Sequence, residues 1–105
     1  MDYSKLSDRD IDALVLQQIY GNQASDKDIV RSWLRGGFKY TTNPADAWPI
    51  IQGNGISIDY DGIDWMAYHC SCASIKYSNP IEEHPGKPLR AAMIVFLMMK
   101  ESLHA

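Results

Sequence analysis

Apolar residues recur at helical spacing near the start of the chain, where Ile11, Leu14, Val15 and Ile19 fall on one face. Ser7 stands before them as an N-cap, and Asp8 and Asp10 put negative charge in the first turn, where the helix dipole favours it. Gly21-Asn22 supplies the stop, so the pattern predicts a helix from about Asp8 to Tyr20. Near the other end, every position from Ala91 to Met99 is apolar, behind Pro88 as a helix opener. A helix without a polar face is buried on all sides. The segment from Leu89 to about Ser102 is therefore expected to be the central post of the core.

Ser25 to Tyr40 admits two readings. Ser25 with Asp26 and Asp28 reads as a second cap, and Ile29, Val30, Trp33 and Leu34 would share a helical face. Alternatively Ile29, Arg31 and Trp33 alternate loosely with Val30, Ser32 and Leu34 as an edge strand, which Gly36-Gly37 turns into a hairpin with Phe38 to Thr41. Asn43-Pro44 is a helix start, with Asn as cap, Pro at the first helical position and Asp46 in the first turn. Ala45, Trp48, Ile51 and Gln52 then lie on neighbouring turns. Pro49 is read as late in the first turn, where little hydrogen bonding is lost, and Gly53-Asn54-Gly55 ends the helix.

Ile56, Ile58 and Tyr60 alternate with polar residues, as do Ile63, Trp65 and Ala67. Asp61-Gly62 between the two runs is the preferred dipeptide of a two-residue hairpin turn. Ala73 to Tyr77 is expected as a third strand, and Asn79 to Pro88, with its prolines, as a loop. The expected class is α+β: a small antiparallel, hairpin-based sheet of about three strands packed on two to four helices, with a buried C-terminal helix. Residues 1–105 make one domain.

Composition narrows the function classes. Apolar residues are 46% and charged residues 22% of 105, as in an ordinary globular domain rather than a disordered tail or a coiled-coil rod. Thirteen acidic against ten basic residues leave a net charge of -3, which argues against a strongly basic nucleic-acid binder and is too mild for DNA mimicry. Cys70 and Cys72 are the only cysteines, too close in sequence for an unstrained disulfide. The polar first residues predict no signal peptide, and the run Ala91 to Met99 falls short of the roughly twenty residues of a membrane span. A cytoplasmic protein is expected.

Candidate chemistry is sparse. His69, Cys70 and Cys72 suggest a metal cluster, but His69 points away from the cysteines on a strand and no second ligand pair exists, with His84 and His104 standing alone. Asp59, Asp61 and Asp64 around Gly62 resemble a fragment of a calcium loop, yet Tyr68 stands where its closing glutamate belongs. No Gly-x-Ser-x-Gly, P-loop or Gly-x-Gly-x-x-Gly motif is present. The expectation is no catalytic residue, no metal and no cofactor. One stretch interleaves cations with aromatics: Arg31, Trp33, Arg35, Phe38, Lys39 and Tyr40. It reads either as core aromatics with a solvated cationic face, as an anchor patch for a protein partner, or as a stacking surface for single-stranded nucleic acid.

Three segments resemble the NinX-like family of small phage and prophage proteins. They are Met1 to Asp8; Asn43 to Ile51, followed by Ile56-Ser57-Ile58 and Trp65-Met66-Ala67; and Pro88 to Met99. Asn43 to Ile51 is the most specific of them, and Gly21 to Thr42 matches the family pattern poorly. The resemblance implies a protein encoded in an accessory region of a tailed phage or prophage, made in the cytoplasm of the infected or lysogenic host, and it carries over no catalytic residue. Arg90, a charge at the start of an otherwise apolar helix, is expected to pair with a carboxylate, with Asp46 as the candidate.

These observations lead to a non-enzymatic accessory protein that binds a host or phage protein through Arg31, Trp33, Arg35, Phe38, Lys39 and Tyr40, in a counter-defence or host-takeover role. The alternatives are a single-stranded nucleic-acid binder in phage replication or recombination, and a small metal-dependent enzyme using His69, Cys70 and Cys72. Oligomeric state is left open.

Overall fold

The computed structural model describes residues 2–60, 62, 64–69, 72–78 and 87–103. Helix α1 spans Asp8–Tyr20, and its start is a capping box: the Ser7 hydroxyl accepts the Asp10 N–H while the Asp10 carboxylate accepts the Ser7 N–H. Helix α2 is Lys27–Leu34, α3 is Pro44–Asn54 and α4 is Pro88–Leu103. Strands β1 (Ile56–Tyr60), β2 (Trp65–His69) and β3 (Cys72–Ser78) form an antiparallel sheet in the order β1-β2-β3. The fold is α+β. Helix α4 packs on all three strands and also on α1 and α3, and every residue from Arg90 to Leu97 is buried. Ala67, at the centre of the sheet, and Ala91 and Ala92 at the start of α4 are fully buried, small side chains that let helix and sheet approach closely.

Two local readings need correction. A two-residue turn at Asp61-Gly62 would pair Tyr60 with Ile63, but Tyr60 pairs with Trp65, leaving four residues between the strands; Asp61 and Ile63 themselves lie outside the described residues. The observed register sets the Tyr60 and Trp65 rings 5.0 Å apart across the strands, a cross-strand aromatic pair of about 0.5–1.5 kcal/mol. Because the shift is by two residues, the strand keeps its phase and Ala67 still faces the core. In α3 the buried positions are Ala47, Ile50 and Ile51, whereas Trp48 is 58% exposed and Ala45 and Gln52 face solvent. Pro49 is the sixth residue of that helix, past its first turn. It removes one backbone hydrogen bond, to the carbonyl of Ala45, and Ala45 lies where water can replace it.

Arg90 is the buried charge on which the helices converge. Its guanidinium is 0% exposed. Nη1 donates to Asp8 Oδ1 at 3.0 Å, and Nη2 donates to the carbonyls of Leu6 (2.7 Å), Ser4 (3.3 Å) and Tyr3 (3.4 Å). The partner is therefore Asp8, not Asp46, whose carboxylate instead accepts the Lys39 N–H at 2.9 Å. Lys87 Nζ adds a second cation on Asp8, at 2.8 Å. Burial acts to raise the Asp8 carboxyl, but the hydrogen bonds and charges of Lys87 and Arg90 outweigh it and hold the group below its ordinary value. The Tyr3 phenol donates to Glu101 Oε2 at 2.7 Å, joining the N-terminal segment to the end of α4. Burial together with that carboxylate pushes the phenol up to about 12.

Replacing Asp8 by Asn leaves the buried guanidinium without its counter-charge and should cost about 1–3 kcal/mol at neutral pH. The sign of the pH dependence follows from the depressed carboxyl: its contribution is complete above the unfolded carboxyl value and is lost as pH falls through the folded one. Urea titrations should show the gap between wild type and Asp8→Asn closing below about pH 4. A gap that persists unchanged would mean that another group carries the charge balance.

Candidate protein-interaction surface

The ambiguous segment is a helix, and its termini show why. Asp26, rather than Ser25, is the N-cap, its carboxylate accepting the Asp28 N–H at 2.9 Å; the Ser25 hydroxyl donates to the Asn22 carbonyl. At the other end, Gly37 N–H donates to the Ser32 carbonyl at 2.8 Å and Gly36 N–H to the Trp33 carbonyl at 3.0 Å. That pair of bonds is a Schellman cap, with Gly36 at φ 87°. A Cβ on Gly37 would stand 2.9 Å from the Ser32 carbonyl oxygen, so the close approach requires glycine. Gly36-Gly37 thus ends a helix and does not turn a hairpin.

No residue of α2 is buried; Ile29 and Trp33, one turn apart, are half-buried against the core. What holds the helix is Arg9 of α1. Its guanidinium lies 3.4 Å from the centroid of the Trp33 ring and donates to the carbonyls of Trp33 (2.8 Å), Gly37 (3.1 Å) and Phe38 (3.4 Å). Three residues along α1, the buried Asp12 accepts both the backbone N–H and the hydroxyl of Thr41, each at 2.9 Å. Burial raises the Asp12 carboxyl, with Thr41 and Arg9 pulling in the other direction. Arg9 and Asp12 together anchor residues 33–41 along one face of α1.

The six residues singled out in sequence therefore separate into two groups. Arg31, Arg35 and Lys39 are exposed. Tyr40 is buried, and Trp33 and Phe38 are half-buried, turned inward as the core reading of these aromatics has it. Phe38 stands between Tyr20 and Tyr40, with ring centroids at 5.8 Å and 6.2 Å. It is the one described non-glycine residue with positive φ, 59°, a conformation costing about 1–3 kcal/mol. It lines a cleft of about 580 Å³ between α1, α3 and α4.

The outer face of α2 adds Lys27, Val30 and Leu34 to the exposed Arg31. Lys27, Val30, Arg31 and Leu34 share one stripe of the helix and, with Ser25, line a shallow groove of about 310 Å³. Leu34 is 77% exposed. Grouping Ile29, Val30, Trp33 and Leu34 on one face hid the fact that Ile29 and Trp33 go in while Val30 and Leu34 stay out. Trp48, on the exposed side of α3, was missed for the same reason.

A family model described as Bacteriophage P22, NinX matches residues 2–100. The chain belongs to this phage protein family. No curated protein and no solved structure matches it. The match takes in the whole of α2 and the turn that follows it. Among the described residues, no helix is long and apolar enough to cross a membrane. Among those same residues, no three His, Cys, Asp or Glu side chains gather as they would around a metal ion; Cys70 of the metal reading lies outside the described residues.

Two glycine substitutions test the assigned backbone roles by chemical denaturation. Gly37→Ala should destabilise by about 1–3 kcal/mol, because its Cβ meets the Ser32 carbonyl. Gly53→Ala, within α3 and with open space around it, should stabilise by about 0.5–1 kcal/mol.

Proposed function

We propose that the protein is a non-enzymatic phage accessory protein, working in the cytoplasm of the bacterial host, that docks on a host or phage protein through the outer face of α2. The observation that carries this reading is the stripe of Lys27, Val30, Arg31 and Leu34 on a helix held from behind by Arg9. Val30 and Leu34 offer two apolar anchors one turn apart, the spacing that helix-in-groove recognition uses. The cations of Lys27 and Arg31 flank them, and Arg35 follows. On a chain of net charge -3 this is a local basic patch, so the complementary partner is an amphipathic helix whose apolar residues are bordered by Asp and Glu. Arg35 and Lys39 extend the cationic border beyond the Schellman turn, whereas Trp33, Phe38 and Tyr40 support the surface from within. A contact of this kind serves host takeover or counter-defence by occupying a surface of the target.

The test is a photo-crosslinker placed at position 30, on the same exposed stripe, in protein expressed during phage infection, with the crosslinked peptide sequenced. Capture of an acid-flanked apolar segment, reduced about 30-fold in affinity by Leu34→Ser with Arg31→Glu at unchanged melting temperature, supports the reading. Crosslinking indifferent to those substitutions would remove it. Trp33→Ala serves as the contrasting variant, since it should loosen α2 and lower the melting temperature.

A further inference from the structure

The cleft between α1, α3 and α4 is distinct from the α2 surface and brings aromatic rings together with a few polar side chains. Its volume, about 580 Å³, falls within the range of about 300–1,000 Å³ usual for small-molecule sites. One wall is the half-buried Phe38 ring with Tyr20 and Tyr40 on either side. A ring that completes the core has no need of a strained backbone, yet Phe38 keeps φ 59° and remains half outside. Strain of this kind gathers where a ring has to be presented.

The rim supplies three different polar groups. Asp46 uses Oδ2 to accept the Lys39 N–H, which leaves Oδ1 to accept from a ligand. Asn54 donates its Nδ2 to the Ile50 carbonyl, so its Oδ1 is likewise turned to acceptor use. Lys100 holds its ammonium 5.4 Å from the centroid of the Phe96 ring, at the edge of the cleft. A purely apolar ligand would desolvate Asp46 and Lys100 without return, and a second anionic group held inside the cleft would meet the Asp46 carboxylate. A flat aromatic ring with amino N–H groups on one edge and a single anionic group satisfies all three.

We propose that this cleft binds a nucleoside 5′-monophosphate unit, its base against Phe38, its exocyclic amino edge on Asp46 and Asn54, and its phosphate on Lys100. The unit is either a free nucleotide or the phosphorylated end of a single strand, since both present the same chemistry. Bases carrying an amino group (adenine, guanine, cytosine) bind better than uracil. The proposal does not depend on the α2 reading, and either can fail alone.

The experiment is an amide NMR titration of the full-length protein with AMP, UMP, adenosine and a 5′-phosphorylated oligoadenylate. The expected result is a set of saturable shifts at Tyr20, Phe38, Asn54 and Lys100, with AMP about tenfold tighter than UMP or adenosine. Lys100→Ala should bring AMP down to the level of adenosine, and Asp46→Asn should erase the preference for AMP over UMP. Asn at 46 keeps an oxygen for the Lys39 N–H, so that variant should fold. If the mononucleotide and the oligonucleotide both bind, the ligand is the free nucleotide or a strand end alike; if only the oligonucleotide shifts these residues, the ligand is a strand end. The absence of shifts in the cleft, or AMP binding insensitive to Lys100→Ala, would overturn the assignment.

Discussion

A guanidinium with no exposed surface must find its counter-charge and acceptors inside the protein, because arginine cannot shed its proton. Arg90 imposes that demand at the mouth of the core helix. The start of the chain meets it: Leu6, Ser4 and Tyr3 turn their carbonyls inward and Asp8 brings the negative charge. The short helical turn Tyr3–Lys5, which Asp2 caps, aims those carbonyls. The N-terminal segment and the start of α1 are thereby fixed to α4, some eighty residues further along the chain, around one ion. The same α4 carries the apolar body against which the sheet, α1 and α3 pack.

The next residue of α1 holds α2 in place. Asp8 faces Arg90, while Arg9, one position on, faces Trp33 and the carbonyls at the end of α2. A short helix with no buried residue would be marginal alone. Suspended from Arg9 and closed by a Schellman cap, it can keep one apolar pair inward and leave another outward. An exposed leucine next to cations is a poor stability device and a good docking device. Burial thus separates a core organised by Arg90 from an exposed helix fastened to it.

Most of the fold was legible in the sequence because its signals are local. Ser7 and Asp10, Asn43 and Pro44, and the run Ala91 to Met99 each specify an element by their own chemistry. The segment from Ser25 to Tyr40 was not, since Gly36-Gly37 serves a helix end as readily as a hairpin and only the carbonyls of Ser32 and Trp33 decide between them. Long-range pairings were equally hidden: nothing in the order of residues says that Arg90 meets Asp8 rather than Asp46, or that Tyr60 pairs with Trp65. The candidate site was half visible. Its cations were evident, but which aromatics turn inward depends on Arg9 and Asp12, far away in sequence.

The claim that joins these observations is that α2 is a separately held element on a core built around α4. Native-state hydrogen exchange tests it directly, because it reads opening free energies element by element. The account predicts that amides of Ile94 to Leu97 exchange only through global unfolding, while amides of Arg31 to Leu34 exchange through a smaller, denaturant-insensitive opening. Equal protection of the two helices with equal denaturant dependence would contradict it, for α2 would then be part of the core.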